Sequence, residues 1–128
     1  MIERSIDHDE AARQIVDSAF VVHRTLGPGL LESVYEQCLA YELRSRSLHV
    51  ASQIVVPVQY REILIDGGFR LDLIVNDLVI VEIKAVERLM PVHEAQLLTY
   101  LKLARKRLGF LINFNIPLIK DGIRRLAL

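Results

Sequence analysis

One stretch constrains this chain more than any other: Gly68–Val86, GFRLDLIVNDLVIVEIKAV. Phe69, Leu71, Leu73 and Val75 alternate with Arg70, Asp72 and Ile74, and Val79, Val81 and Ile83 alternate with Ile80, Glu82 and Lys84. That period of two predicts two β-strands, with Asn76-Asp77 as the tight turn of a hairpin. A solvated strand would alternate with many polar residues, and these strands hold few. Asp72, Glu82 and Lys84 therefore need an explanation, because burying a charge is costly unless it is paired or bound to a metal.

Register decides whether the three charges meet. Glu82 and Lys84 are two apart on one strand and share a face. A two-residue loop at Asn76-Asp77 pairs Asp72 with Val81 and sends its side chain to the other face. A three-residue loop, Asn76 to Leu78, pairs Asp72 with Glu82 and gathers all three groups. The second register, or a bulge equivalent to it, is expected.

The rest of the chain reads as flanking structure. With 128 residues, 52% apolar and 25% charged, it predicts one domain over residues 1–128 with a single sizeable core. Asp7 or Ser5 caps a first helix to about Thr25, with Ala12, Ile15, Val16, Ala19, Phe20, Val22 and Leu26 as its apolar stripe. Gly27-Pro28-Gly29 breaks it. A second helix spans about Leu31 to Arg46, with Leu31, Val34, Tyr35, Cys38, Leu39 and Leu43 inward; Glu32 and Glu36 lie one turn apart on it, and Glu32 reads at first as a helix-start carboxylate. Gln53 to Tyr60 is a strand whose Pro57 indicates an edge or a bulge, and Asp66-Gly67-Gly68 is expected to turn into the hairpin. Pro91 opens a third helix to about Arg105, with Ala95, Leu97, Leu98, Leu101 and Ala104 as core. Leu108 to Phe114 and Ile123 to Leu128 read as the last strands. The order ααβββαββ is that of an α/β domain with a mixed sheet flanked by helices.

Charge and cysteine content exclude some classes. The formal net charge is zero, so no global basic field announces nucleic-acid binding. Arg105-Lys106-Arg107 and Arg124-Arg125 are the local basic candidates, read on their own as solvated surface. The lone Cys38 rules out an internal disulfide and a cysteine-based zinc site. With no apolar run of membrane-spanning length and no signal-peptide core in MIERSIDHDEAAR, a reducing cytoplasm is the expected compartment.

Two carboxylates on adjacent strands suit a hard divalent cation such as Mg²⁺, which prefers oxygen ligands and keeps several waters. A lysine two residues beyond a ligand would stand beside such a water or offset charge on a phosphate oxygen. A cross-strand salt bridge of Asp72 or Glu82 with Lys84 or Arg70 explains the same residues equally well.

Asp72 followed by Glu82-Ile83-Lys84 resembles the D…(D/E)XK signature of the PD-(D/E)XK nuclease superfamily, which has a restriction endonuclease-like core. Gly29-Leu30-Leu31-Glu32-Ser33-Val34-Tyr35 resembles the more specific GxxExxY motif of a small bacterial and archaeal family assigned to that superfamily. His23 to Gly29, His93 to Leu101 and Gly109 to Phe114 are similar to its neighbouring blocks, so the resemblance runs from about Ile15 to Leu126. It implies that Glu32 completes a metal site with Asp72 and Glu82, that the Ile83 carbonyl supplies a further ligand, and that Lys84 is the catalytic lysine. Gln96 and Tyr100 resemble the Q-x-x-x-Y element that borders the active site in RecB-like members. Tyr35 is expected to pack its helix against the sheet, and His93 to shape the first turn of the third helix.

These expectations describe a nuclease dependent on Mg²⁺, with Mn²⁺ as a substitute, that hydrolyses DNA phosphodiesters. A homodimer or a partner protein would supply specificity. Two rivals use the same cleft: a non-catalytic module that binds nucleic acid or protein, its charges salt-bridged, and a metal-dependent hydrolase of small phosphate esters with a closed pocket.

Overall fold

The computed structural model describes residues 6–128. Its elements run α1 (His8–Leu26), α2 (Glu32–Ser45), β1 (Val50–Tyr60), β2 (Ile63–Val75), β3 (Val79–Lys84), α3 (Pro91–Ala104), β4 (Leu108–Asn113), a short 3₁₀ turn (Ile119–Gly122) and β5 (Ile123–Ala127). The strands form one sheet in the order β1-β2-β3-β4-β5. All neighbours are antiparallel except β3 and β4, which are parallel and joined through α3. The expected α/β architecture and element order are those observed.

Two cores cover the two faces of the sheet. On one, Ile15, Ala19 and Val22 of α1 and Tyr35, Leu39 and Leu43 of α2 pack on Val79, Val81 and Ile83 of β3 and on Phe110 and Ile112 of β4. On the other, Leu97 and Leu101 of α3 pack on Leu71, Ile80 and Leu111. Leu48 and Val50 carry the first core onward to the edge strand. No helix of the described residues is long and apolar enough to cross a membrane.

Local chemistry sets the element ends. Asp7 caps α1 by accepting the Glu10 N–H at 2.9 Å, an N-cap bond that satisfies one otherwise orphaned donor; Ser5, the other candidate, lies outside the described residues. At α3 the His93 Nδ1 accepts the Met90 N–H at 2.9 Å, so His93 does shape that first turn. The apolar stripes differ in part from expectation. Ala11, Ser18 and His23 are buried on α1, whereas Phe20 and Leu26 are exposed; Leu31, just before α2, is 74% exposed; on α3 Ala95 and Leu98 face outward. The His23 ring is drawn in by the Ile116 carbonyl, 2.7 Å from its Nε2.

Asp66-Gly67-Gly68 is not a turn. β1 and β2 are joined at Arg61-Glu62, with Tyr60 opposite Ile63, and β2 runs straight through the glycines. The register slips between Val56 and Val58, where Pro57 faces the extra residues Asp66 to Gly68. Pro57 offers no N–H to the ladder, so the partner strand bulges there. Gly67 absorbs the bulge at φ +67°, and a Cβ on Gly68 would stand 2.3 Å from Val58 Cγ2. Pro57 thus marks both an edge strand and a bulge.

Candidate active site

The hairpin register places the site. Val75 pairs with Val79, Ile74 with Ile80 and Leu73 with Val81, so the loop is Asn76 to Leu78 and the three-residue alternative is the one adopted. Asn76 and Asp77 both take left-handed backbone (φ 52° and 55°), and the Leu78 N–H closes the turn on the Val75 carbonyl at 2.9 Å. These are residues whose short polar side chains tolerate that conformation.

Beyond Leu73 the strands interlock through their carboxylates. The Ile83 N–H donates to Asp72 Oδ2 at 2.8 Å, and the Asp72 N–H points at Glu82 Oε1 at a longer 3.4 Å. Ile83 itself buries its side chain in the α1–α2 core, leaving its backbone beside the acids. On the neighbouring strand the β1–β2 pairing runs Ser52 with Leu73 and Ile54 with Leu71, bracketing Gln53 and Asp72. Gln53 is left-handed there (φ 53°), an uncommon conformation for a non-glycine residue. Across the same point β2 changes allegiance, with Leu73 in one core and Leu71 in the other. Asp72 sits where the strand twists between them.

All six side chains expected at the site, Glu32, Asp72, Glu82, Lys84, Gln96 and Tyr100, line one cleft of about 480 Å³. Glu32 enters from the first turn of α2, and Gln96 and Tyr100 from one face of α3, four residues apart. Tyr100 is fixed by stacking on Phe69 at 4.6 Å between centroids, with the rings 16° from parallel. The cleft also takes in Glu36, Gln53 and Arg70. Glu36 was detectable one helical turn from Glu32, and Arg70 two residues from Asp72. No signal marks Gln53, because its place depends on a left-handed strand residue that a β-branched run does not disclose.

Electrostatically the site is acid-loaded. Glu82 is only 5% exposed, and burial, then the charge of Asp72, push its carboxyl up to about 9. Partial burial and Asp72 also raise Glu32, against the opposing pull of Lys84 and the Ala85 N–H. Glu36 is raised by burial and Asp72, while a 2.5 Å hydrogen bond from Gln53 Nε2 acts the other way. Burial and the two acids Glu82 and Asp72 hold the Tyr100 phenol above its ordinary range. Among the described residues neither Lys84 nor Arg70 forms an ion pair with a carboxylate; Lys84 acts on Glu32 and Glu82 through its charge alone.

The motif before α2 acquires a physical role. Gly27 and Gly29 are left-handed at φ 72° and 102°, a region that favours glycine. The Tyr35 hydroxyl donates to the Gly27 carbonyl at 2.6 Å and accepts the Leu30 N–H at 3.0 Å, while its ring stacks on Phe114 at 4.8 Å. Tyr35 therefore packs the helix as expected, and also latches the loop that delivers Glu32. Tyr35→Phe should cost about 0.5–1.5 kcal/mol, since the loop loses both bonds but its Gly27 carbonyl and Leu30 N–H can turn to water; urea denaturation of the two proteins measures it. Asn113 performs the matching task behind Lys84: its side chain accepts the Val86 N–H at 3.1 Å and donates to the Val86 carbonyl at 2.9 Å.

The donor set suits a hard divalent cation. It consists of carboxylate oxygens, and buried Glu82 beside Asp72 is a pair whose repulsion a cation would relieve. Among the described residues, however, no three His, Cys, Asp or Glu side chains are gathered closely enough to form a cage. Asp72 and Glu82 are the adjacent pair on the strands, with Glu36 of α2 against Asp72 and Glu32 one turn before it on the same helix. The basic candidates outside it are largely engaged: Lys106 with Asp77 at 2.9 Å, Arg124 with Glu94 at 3.6 Å and Arg125 with Asp9 at 3.8 Å.

A family model described as the PD-(D/E)XK nuclease superfamily matches residues 9–126. No curated protein and no solved structure gave a significant match.

Proposed function

The chain belongs to the PD-(D/E)XK nuclease superfamily, and from that premise we propose that it is a Mg²⁺-dependent nuclease hydrolysing DNA phosphodiester bonds. The carrying observation is the carboxylate interlock, which sets Asp72 and Glu82 side by side with Lys84 unpaired in the same cleft. Within the superfamily we place it among the GxxExxY proteins, on Gly29, Glu32 and Tyr35. Cytoplasmic residence, and a second copy or partner protein that supplies specificity, belong to the same reading.

Asp72 and Glu82 would hold the divalent ion, with Glu32 and the Ile83 carbonyl as further donors. When bound, the ion supplies Lewis acidity toward a phosphoryl oxygen and a lowered pKa for its water. Everything else is done by the chain. Lys84 shares the cleft with the two acids, where it orients a water and offsets charge growing on the phosphate. Tyr100, its pKa raised, stays a phenol and so a hydrogen-bond donor at neutral pH. Gln96 offers an amide on the same helix face. Superfamily nucleases use divalent metals; the choice of Mg²⁺ with Mn²⁺ as substitute rests on the all-oxygen donor set.

Labelled single- and double-stranded DNA incubated with Mg²⁺ or Mn²⁺ tests the reading. Cutting is expected with wild type and not with Glu82→Ala or Lys84→Ala. A folded wild type that cuts neither DNA nor RNA, and whose metal titration matches that of Glu82→Ala, would overturn it.

A further inference from the structure

We propose that Arg70 is a phosphate clamp, a positioning residue that grips the non-bridging oxygens of a phosphate next to the scissile one. The proposal rests on the nuclease reading and adds a contact to it.

Arg70 lies on β2 two residues before Asp72, and both side chains line the cleft with Lys84. Two residues of strand span about 7 Å, roughly the step between neighbouring phosphates of an extended nucleic-acid strand. A phosphate held at Asp72 and Glu82 therefore leaves the next one within reach of Arg70. The strand is pinned at this place, because the preceding residue, Phe69, stacks on Tyr100. That sets where the Arg70 side chain leaves the strand relative to the acids, and its guanidinium is at liberty to reach a phosphate.

Availability is the second observation. Among the described residues the Arg70 side chain makes no hydrogen bond and no ion pair, although four carboxylates line the same cleft. By contrast Arg13, Arg46, Arg124 and Arg125 each sit within ion-pair distance of a carboxylate. The charge of the cleft supplies the third. Among the described residues its only cations are Lys84 and Arg70, and a polyanion entering a site rich in carboxylates needs a positive group to meet it. An arginine offers a planar fork of donors that matches two phosphate oxygens at once, which an ammonium does not.

A short labelled oligonucleotide carrying one neutral methylphosphonate, moved stepwise along the strand, tests the contact in cleavage and in fluorescence-anisotropy binding. Wild type should lose about tenfold or more in KM and in affinity at one position flanking the cut. Arg70→Ala should show that loss on the unmodified strand, no further loss at that position, and nearly unchanged kcat; Arg70→Lys should recover only part. Equal thermal melting of wild type and Arg70→Ala excludes a folding effect. Arg70→Ala that cuts and binds like wild type, or that keeps the full sensitivity at every position, would refute the clamp and leave the nuclease reading standing. Wild type that neither cuts nor binds oligonucleotides would remove both. Binding without cutting, with the Arg70-dependent position intact, would keep the clamp and remove the catalysis.

Discussion

Lys84→Met should give a protein that binds divalent metal about as well as wild type and cuts nucleic acid on the order of a thousandfold more slowly. The reasoning starts from the cleft. Lys84 shares the β3 face with Glu82, yet it pairs with no carboxylate among the described residues. Its removal breaks no ion pair, and methionine preserves most of the apolar stem. Stability should shift by less than about 1 kcal/mol. Asp72→Asn makes the opposite test, since it weakens a carboxylate that accepts the Ile83 N–H at 2.8 Å and removes half of the acid pair. It should lose both metal affinity and cutting. Isothermal titration with Mn²⁺ beside single-turnover cleavage separates the two. If Lys84→Met lost metal affinity as fully as Asp72→Asn, the lysine would be holding the acids in place rather than acting on a substrate.

Much of this site was legible because strand pairing is arithmetic. The Asn76–Leu78 loop fixed Asp72 opposite Glu82, and the period of two fixed Lys84 beside it. Other parts depended on contacts that the chain forms only when folded. Periodicity alone gave Glu32 as an ordinary helix-start carboxylate. Its place in the cleft follows from the Tyr35 latch on Gly27 and Leu30, bonds within and just before the Gly29–Tyr35 motif that helical spacing does not announce. The Asp66-Gly67-Gly68 sequence has turn chemistry and was misread as one, because the need for a bulge came from Pro57 on the neighbouring strand. Phe20 and Leu31 obeyed helical spacing and still face solvent, since apolar residues on a surface are common. Local propensity located the elements; the bulge and the latch depend on backbone and side-chain contacts across a turn, which periodicity does not encode.

Glu82→Gln should make the metal-free protein more stable at pH 8 while abolishing its activity. Glu82 is buried beside Asp72, and its carboxyl is pushed up to about 9 from an ordinary value of 4.5. Between those limits the native state keeps a proton that the unfolded chain has released. Stability linked to this group is therefore fully present below about pH 4.5 and drains away as the pH climbs toward 9. At about 1.4 kcal/mol per unit, and discounted for relaxation around a coupled pair, the loss by pH 8 is on the order of 2–4 kcal/mol. Glutamine is neutral and nearly isosteric, and its oxygen can still accept the Asp72 N–H, so the variant escapes the loss. Glu32 and Glu36, also raised, add to the slope in both proteins and cancel in the comparison. Chemical denaturation in EDTA at pH 5, 6.5 and 8 should show the two curves converging at the acid end and separating upward. Mg²⁺ should then stabilise wild type increasingly with pH, because a cation binds the ionised pair, and should do little for Glu82→Gln. Equal stability of the two proteins at pH 8 in EDTA would show that Glu82 is not held protonated by its surroundings. A gap that closes when metal is added would identify the ion as the partner this buried charge lacks, and would explain why a domain this small tolerates it.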